Sequence, residues 1–204
     1  MNRVVVLDYG SGNIRSAERA VARAGAEVVV TTNARLAITA DGLVIPGVGA
    51  FAACMAGLIA VGGPEILAAR LAAGRPTLAI CVGHQVLFEA GIEHGVRAEG
   101  CSIWPGLVER LHAERLPHMG WNTIQAPAGS RLFAGVTSER FYFVHSYGVR
   151  ALPAAPDLRV TWAEHGGDRF VAGVEQAALW STQFHPEKSG DAGARLIRNW
   201  VGTL

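Results

Sequence analysis

Cys81 stands in "LAICVGHQ", residues 78–85, where an apolar run of strand character gives way to a helix-like pattern. A free thiol is ordinarily a small core hydrophobe, so its position has to argue for anything more. The carboxyl end of a buried parallel strand, just ahead of a helix, is where open α/β sheets place their ligands. A tight strand-to-helix turn there pushes a nucleophile out of the sheet, provided its neighbours are small, as Ala79 and Gly83 are. The first amides of the helix, Val82 foremost, favour a thiolate and can receive an oxyanion.

A cysteine hydrolase also needs a base that moves protons and an acid that orients the base. "TQFHPEKSG" offers His185 and Glu187 two residues apart, which in extended backbone project to the same side. Pro186 limits the freedom between them. The plainer alternative is a loop histidine beside a surface acid. A glycine-rich segment, "VIPGVGAF" at 44–51, reads either as a strand-ending turn or as an oxyanion hole with Val48 and Gly49 as donors.

These groups need a sheet to position them. "RVVVLD", "EVVVT", "GLVIPG" and "PTLAIC" read as buried strands separated by helical patterns. In the first of these, Ile14, Ala17, Val21 and Ala24 share one face and Gly25 closes the helix. "VGHQVLFEA" is expected to be the helix that follows Cys81. Such alternation predicts a parallel sheet with helices on its faces. After about residue 100 the signals become strands and turns: "IWPGLVERL", "FYFVHSYGV", "LRVTWAEH", a hairpin tip at Gly166-Gly167-Asp168, then "FVAGVEQ" and "LWSTQFHPE". Antiparallel additions are expected there. A last amphipathic helix carries Ala192, Leu196, Ile197 and Trp200 inward. With no linker or repeat, the chain reads as a single α/β domain over 1–204.

Its 204 residues can bury a large core without staples. Lys and Arg number 18 against 17 Asp and Glu, which removes the electrostatic case for nucleic acid or an anionic membrane surface. Cys54, Cys81 and Cys101 are widely spaced and form no C-x-x-C, so neither a disulfide framework nor a metal site is suggested, and a reducing cytoplasm is the expected setting. No apolar run has the length of a signal peptide or a membrane span. "GSGNIR" lacks the third glycine of a dinucleotide fingerprint, and no cofactor is expected.

Taken together, "PGVGAF", "ICVGHQ" and "QFHPE" resemble the class I, triad-type glutamine amidotransferases, whose fold is flavodoxin-like. "DYGSGNIRS", "PHMGWN", "RLFAGV", "FYFVHSYGV" and "QFHPEKSG", in that order, resemble the glutaminase subunits of imidazole glycerol phosphate synthases along nearly the whole chain. The resemblance implies that Cys81 attacks the glutamine side-chain amide to form a thioester, with His185 moving protons and Glu187 orienting it. Gln85, Glu93, Tyr142, His145 and Ser146 match positions that hold the substrate. Asn13, Trp121 and Asn122 match a docking face for a (β/α)8-barrel cyclase subunit. Ammonia passes to that partner and supports formation of imidazole glycerol phosphate and an aminoimidazole carboxamide ribotide. Two positions depart from the pattern: Ala79 stands where glycine is usual and His84 where methionine is common. The alternatives are a glutaminase feeding another acceptor, such as pyridoxal phosphate synthesis, or a non-catalytic thiol sensor on the same fold.

Overall fold

A computed structural model describes all residues from Met1 to Leu204. Strands β1 (Arg3–Leu7), β2 (Glu27–Thr31), β3 (Gly42–Gly47) and β4 (Thr77–Cys81) alternate with helices α1 (Ile14–Arg23), α2 (Ala34–Thr39), α3 (Phe51–Ala60) and α4 (Gly63–Ala72). The remainder comprises α5 (Val82–Gln85), β5 (Phe88–Glu93), β6 (Val96–Glu99), β7 (Trp104–Arg110), β8 (His118–Thr123), β9 (Arg140–His145), β10 (Tyr147–Val149), β11 (Arg159–His165), β12 (Asp168–Gln176), β13 (Leu179–Thr182), a 3-10 turn (Pro186–Lys188) and α6 (Gly190–Val201).

Seven strands form the central sheet in the order β11-β12-β13-β4-β3-β1-β2. From β13 to β2 every pairing is parallel, while β11 and β12 are antiparallel additions. The apolar runs explain this: β3 and β4 are buried at every position, as a strand covered on both faces must be. Right-handed crossovers then place the helices on the two faces, α1 beside α6 and α2 beside α4. Chain direction across the sheet reverses between β1 and β3, and the carboxyl ends of β3 and β4 lie next to that crevice.

Two expectations are corrected. "VGHQVLFEA" is helical only over Val82–Gln85, and Phe88 already begins β5, which pairs with β6 and β7 in a second sheet of order β10-β7-β5-β6. Val86, Leu87 and Phe88 are all fully buried, so they have no solvent face for an amphipathic helix, and sheet pairing overrides local propensity. In the antiparallel half, β13 returns to lie parallel to β4, carrying His185 toward the edge where Cys81 emerges. The hairpin forms as expected: Gly166 and Gly167 both take positive φ, the requirement of a two-residue turn between β11 and β12.

Candidate active site

Cys81 is the last residue of β4 and has φ 58° and ψ −114°, a conformation that costs a non-glycine residue about 1–3 kcal/mol. Gly83 permits the turn, since a Cβ there would lie 2.1 Å from the Ile45 carbonyl oxygen. Ala79 sits mid-strand, paired with Ile45 and Ser181, two residues short of the turn. Its methyl group is fully buried within the sheet.

His185 Nδ1 donates to Glu187 Oε1 at 2.7 Å, and both side chains are only 2 % exposed. Nε2 of His185 has no hydrogen-bond partner. Burial works against its charge, but nearby Cys81 and the bond to Glu187 outweigh burial and raise the imidazole to about 9. The ring is held with a proton on Nδ1, leaving Nε2 as the working nitrogen.

A cavity of about 240 Å³ opens on these groups, lined by Val48, Gly49, Cys81, Val82, Gln85, Glu93, Val144, His145, Ser146, Tyr147, His185 and Lys188. Drug-sized ligands occupy roughly 300–1,000 Å³, so this site suits a molecule of amino-acid size. Glu93 Oε2 accepts from the Phe51 amide at the start of α3, which holds the carboxylate at the rim. Tyr142, expected to face the substrate, is not among the lining residues. It pairs with Trp121 across β8 and β9 and meets its ring edge-on at 6.1 Å, because alternation along β9 sends Phe141, Phe143 and His145 to the opposite side.

The expected oxyanion donors are arranged unequally. The Val48 N–H donates to Ser11 Oγ at 3.3 Å, while the Val48 carbonyl accepts from Ser11 Oγ at 2.8 Å and from Cys54 Sγ at 3.3 Å. That amide is committed to the β1–α1 loop and does not face the sulfur's reaction partner. The Tyr9 hydroxyl also donates to the Pro46 carbonyl, so one loop holds the segment twice. Gly49 is exposed at the cavity mouth with φ 99°.

Trp121 is 48 % exposed and Met119 63 % exposed on β8, so Trp121 is not a core tryptophan. Asn122 turns inward instead: Nδ2 donates to the Glu164 carbonyl at 2.8 Å and contacts His118 Nε2 at 3.2 Å. Asn13 precedes α1 and its side chain makes no capping bond. Sequence inspection passed over Tyr147, Lys188, Ser11 and Gln183. Of these only Gln183 carried a local signal, standing two residues before His185 as Glu187 stands two after.

Comparison with known proteins adds the family. Residues 5–203 match the model for "Glutamine amidotransferase class-I". The imidazole glycerol phosphate synthase subunit HisH of Nocardia farcinica is 64 % identical over 98 % of each chain, and that of Thermobifida fusca 61 % identical over 99 % of each. The chain belongs to the class I glutamine amidotransferases, within the HisH family. Among solved structures, a glutamine amidotransferase superposes on this amidotransferase with TM-score 0.74 at 19 % identity, covering 97 % of this chain and 98 % of the other. PurLQS from Thermotoga maritima gives TM-score 0.74 at 18 % identity, covering 100 % and 99 %. At such low identity these two speak for the fold alone.

Proposed function

We propose that the whole chain, residues 1–204, is the glutaminase subunit of an imidazole glycerol phosphate synthase, hydrolysing glutamine and passing ammonia to a (β/α)8-barrel cyclase in the cytoplasm. One observation carries the catalytic part: Cys81 and His185, distant in sequence, line one cavity of amino-acid size, and Glu187 holds the far side of the His185 ring from behind it.

In this reading the Cys81 sulfur attacks the side-chain carbonyl carbon of glutamine. Charge develops on the carbonyl oxygen and is met by the Val82 N–H, an amide of the first helical turn that has no intrahelical acceptor. His185 Nε2–H protonates the departing nitrogen, the C–N bond breaks, and ammonia leaves a γ-glutamyl thioester. Water then attacks the thioester while His185 Nε2 takes its proton; glutamate departs and the sulfur is regenerated. Glu187 holds the ring in one tautomer throughout and offsets the imidazolium charge. Glu93, Gln85, His145 and Ser146 surround the rest of the substrate. The Val48 amide joins the oxyanion site only after its bond to Ser11 is released.

Asn13 and Trp121 are assigned to the docking side; Asn122 shares β8 with Trp121 but turns inward and is left out of that face. The exposed Trp121 and Met119 support this, being apolar, adjacent to one another on one strand face, and close to the segment after the 3-10 turn that carries Lys188: a Cβ at Gly190 would lie 3.9 Å from the Trp121 ring. Confinement of ammonia matters because bulk water at neutral pH protonates it and removes the lone pair needed for attack. The test is glutamate release by the purified chain with and without a cyclase, together with mass mapping after treatment with a glutamine-analogue electrophile. Modification at Cys81 and stimulation by the cyclase are expected; modification elsewhere overturns the mechanism, and indifference to the cyclase overturns the partnership.

A further inference from the structure

Gln183 is fully buried just past β13, and its side-chain amide has two different ends to present to its surroundings. Which end faces the thiol follows from its neighbours. Gln85 Nε2 donates to the Tyr147 carbonyl at 2.9 Å and to Gln183 Oε1 at 3.0 Å. Gln183 Oε1 is thus the accepting end, and Nε2 is turned to the Cys81 sulfur at 4.0 Å, its one hydrogen-bond acceptor.

The same carbonyl, an obligate acceptor, also orders a second chain of donors beside the site. His145 Nδ1 meets the same Tyr147 carbonyl at 2.9 Å and must donate there, so its Nε2 accepts from His118 Nδ1 at 3.1 Å, and His118 Nε2 accepts from Asn122 Nδ2 at 3.2 Å. Both imidazoles are neutral in this chain; burial depresses His145 to about 4 and His118 to about 3. The Tyr147 carbonyl fixes Gln85, Gln85 fixes Gln183, and the sulfur meets a donor and not an acceptor.

We infer that Gln183 is a catalytic residue of the thiol site, its side-chain amide donating to the Cys81 sulfur and supporting negative charge there before attack and when the thioester is broken. It rests on the reading of Cys81 as the nucleophile. A contact of 4.0 Å is loose for a neutral thiol and tightens as charge develops, as catalytic hydrogen bonds do on leaving the resting state. A buried amide without that acceptor would otherwise leave a donor unsatisfied.

The experiment follows alkylation of the full-length chain by iodoacetamide, with peptide mass mapping to separate Cys81 from Cys54 and Cys101. Q183M keeps the length and removes the donor; Q183E keeps the shape and substitutes an acceptor, so the two variants report independently should one fold poorly. At about pH 7 the Cys81 rate is expected to fall about ten-fold in Q183M and further in Q183E, the effect of one hydrogen bond to a charged group. At about pH 10, well above the usual thiol range, the three rates converge. With glutamine, kcat falls by a similar factor while KM stays within about two-fold. Unchanged alkylation near pH 7, or an equal slowing at both pH values, overturns the inference, because the second outcome is loss of access or packing. Alkylation requires no glutamine, so a wild-type chain without turnover even in the presence of a cyclase would sink the proposed function while leaving this result readable.

Discussion

Two clusters of buried charge sit at opposite ends of β4, and they are built on opposite rules. At the amino end, Arg70 is fully buried and every guanidinium nitrogen is engaged: Nε with Thr77 Oγ1, the others with the carbonyls of Ala37, Ile38, Ala40, Asp41 and Pro76. It collects the carbonyls at the end of α2, groups that a helix leaves without internal partners. Burial lowers Arg70 to about 10, still charged at neutral pH. At the carboxyl end, His185 Nε2 and Glu187 Oε2 are buried without partners, and Cys81 is held in a strained conformation. A group whose bonds are all satisfied stabilises a fold; a residue with an unused valence beside a cavity, as His185 has at Nε2, is available for chemistry.

Substitutions can break this contrast. C81A is expected to lower glutamine hydrolysis by about 10⁴-fold or more while the melting temperature changes little, checked by glutamate release and thermal denaturation. E187Q should cost about 10²–10⁴-fold in kcat by leaving the His185 tautomer unsecured, with KM less affected. R70A reverses the pattern: activity per folded molecule is kept, while unfolding in urea shows a loss of about 3 kcal/mol or more, because several buried carbonyls lose their donor together.

The pH dependence of stability sharpens the comparison. His84, His118 and His145 are pushed down by burial, to about 3, 3 and 4. The unfolded chain, with imidazoles near about 6.5, binds more protons in that range, so stability falls as pH drops from about 6.5 toward 4. His185 is raised to about 9, so its contribution is complete below about 6.5 and is lost as pH rises through 9. Urea titrations across pH should show both slopes; H84M flattens the lower one, and E187Q the upper. The smallest effect is expected at Ser11: S11A frees the Val48 amide from its one side-chain acceptor and raises cyclase-independent glutamate release about two- to ten-fold. No rise would show that the Ser11 contact does not restrain the oxyanion segment.

His84 illustrates how a departure from the family pattern is absorbed. Its Nδ1 contacts Ser181 Oγ at 2.8 Å and its ring meets Phe88 edge-on at 5.0 Å. It ties the elbow helix to β13 as a neutral, buried group and does not reach the cavity lining.

Much of this was legible in the sequence because it is local. A thiol at the end of an apolar strand, a glycine two residues on, and a histidine and an acid two apart each depend on a few consecutive residues, and backbone geometry alone decides what they can present. The parallel half of the sheet was legible for the same reason, since strands buried on both faces are written as unbroken apolar runs. What tertiary structure alone decided was everything set by contacts between distant segments. Phe88 joins a sheet despite a helical-looking neighbourhood, Tyr142 points to Trp121 and away from the cavity, and Ser11 occupies an amide 37 positions away. The end of the Gln183 amide that meets the sulfur depends on Gln85, itself oriented by the Tyr147 carbonyl on another strand. Periodicity specifies which way a side chain leaves its own strand; only the packed neighbours specify what it finds there, and hydrogen-bond direction is a property of those neighbours taken together.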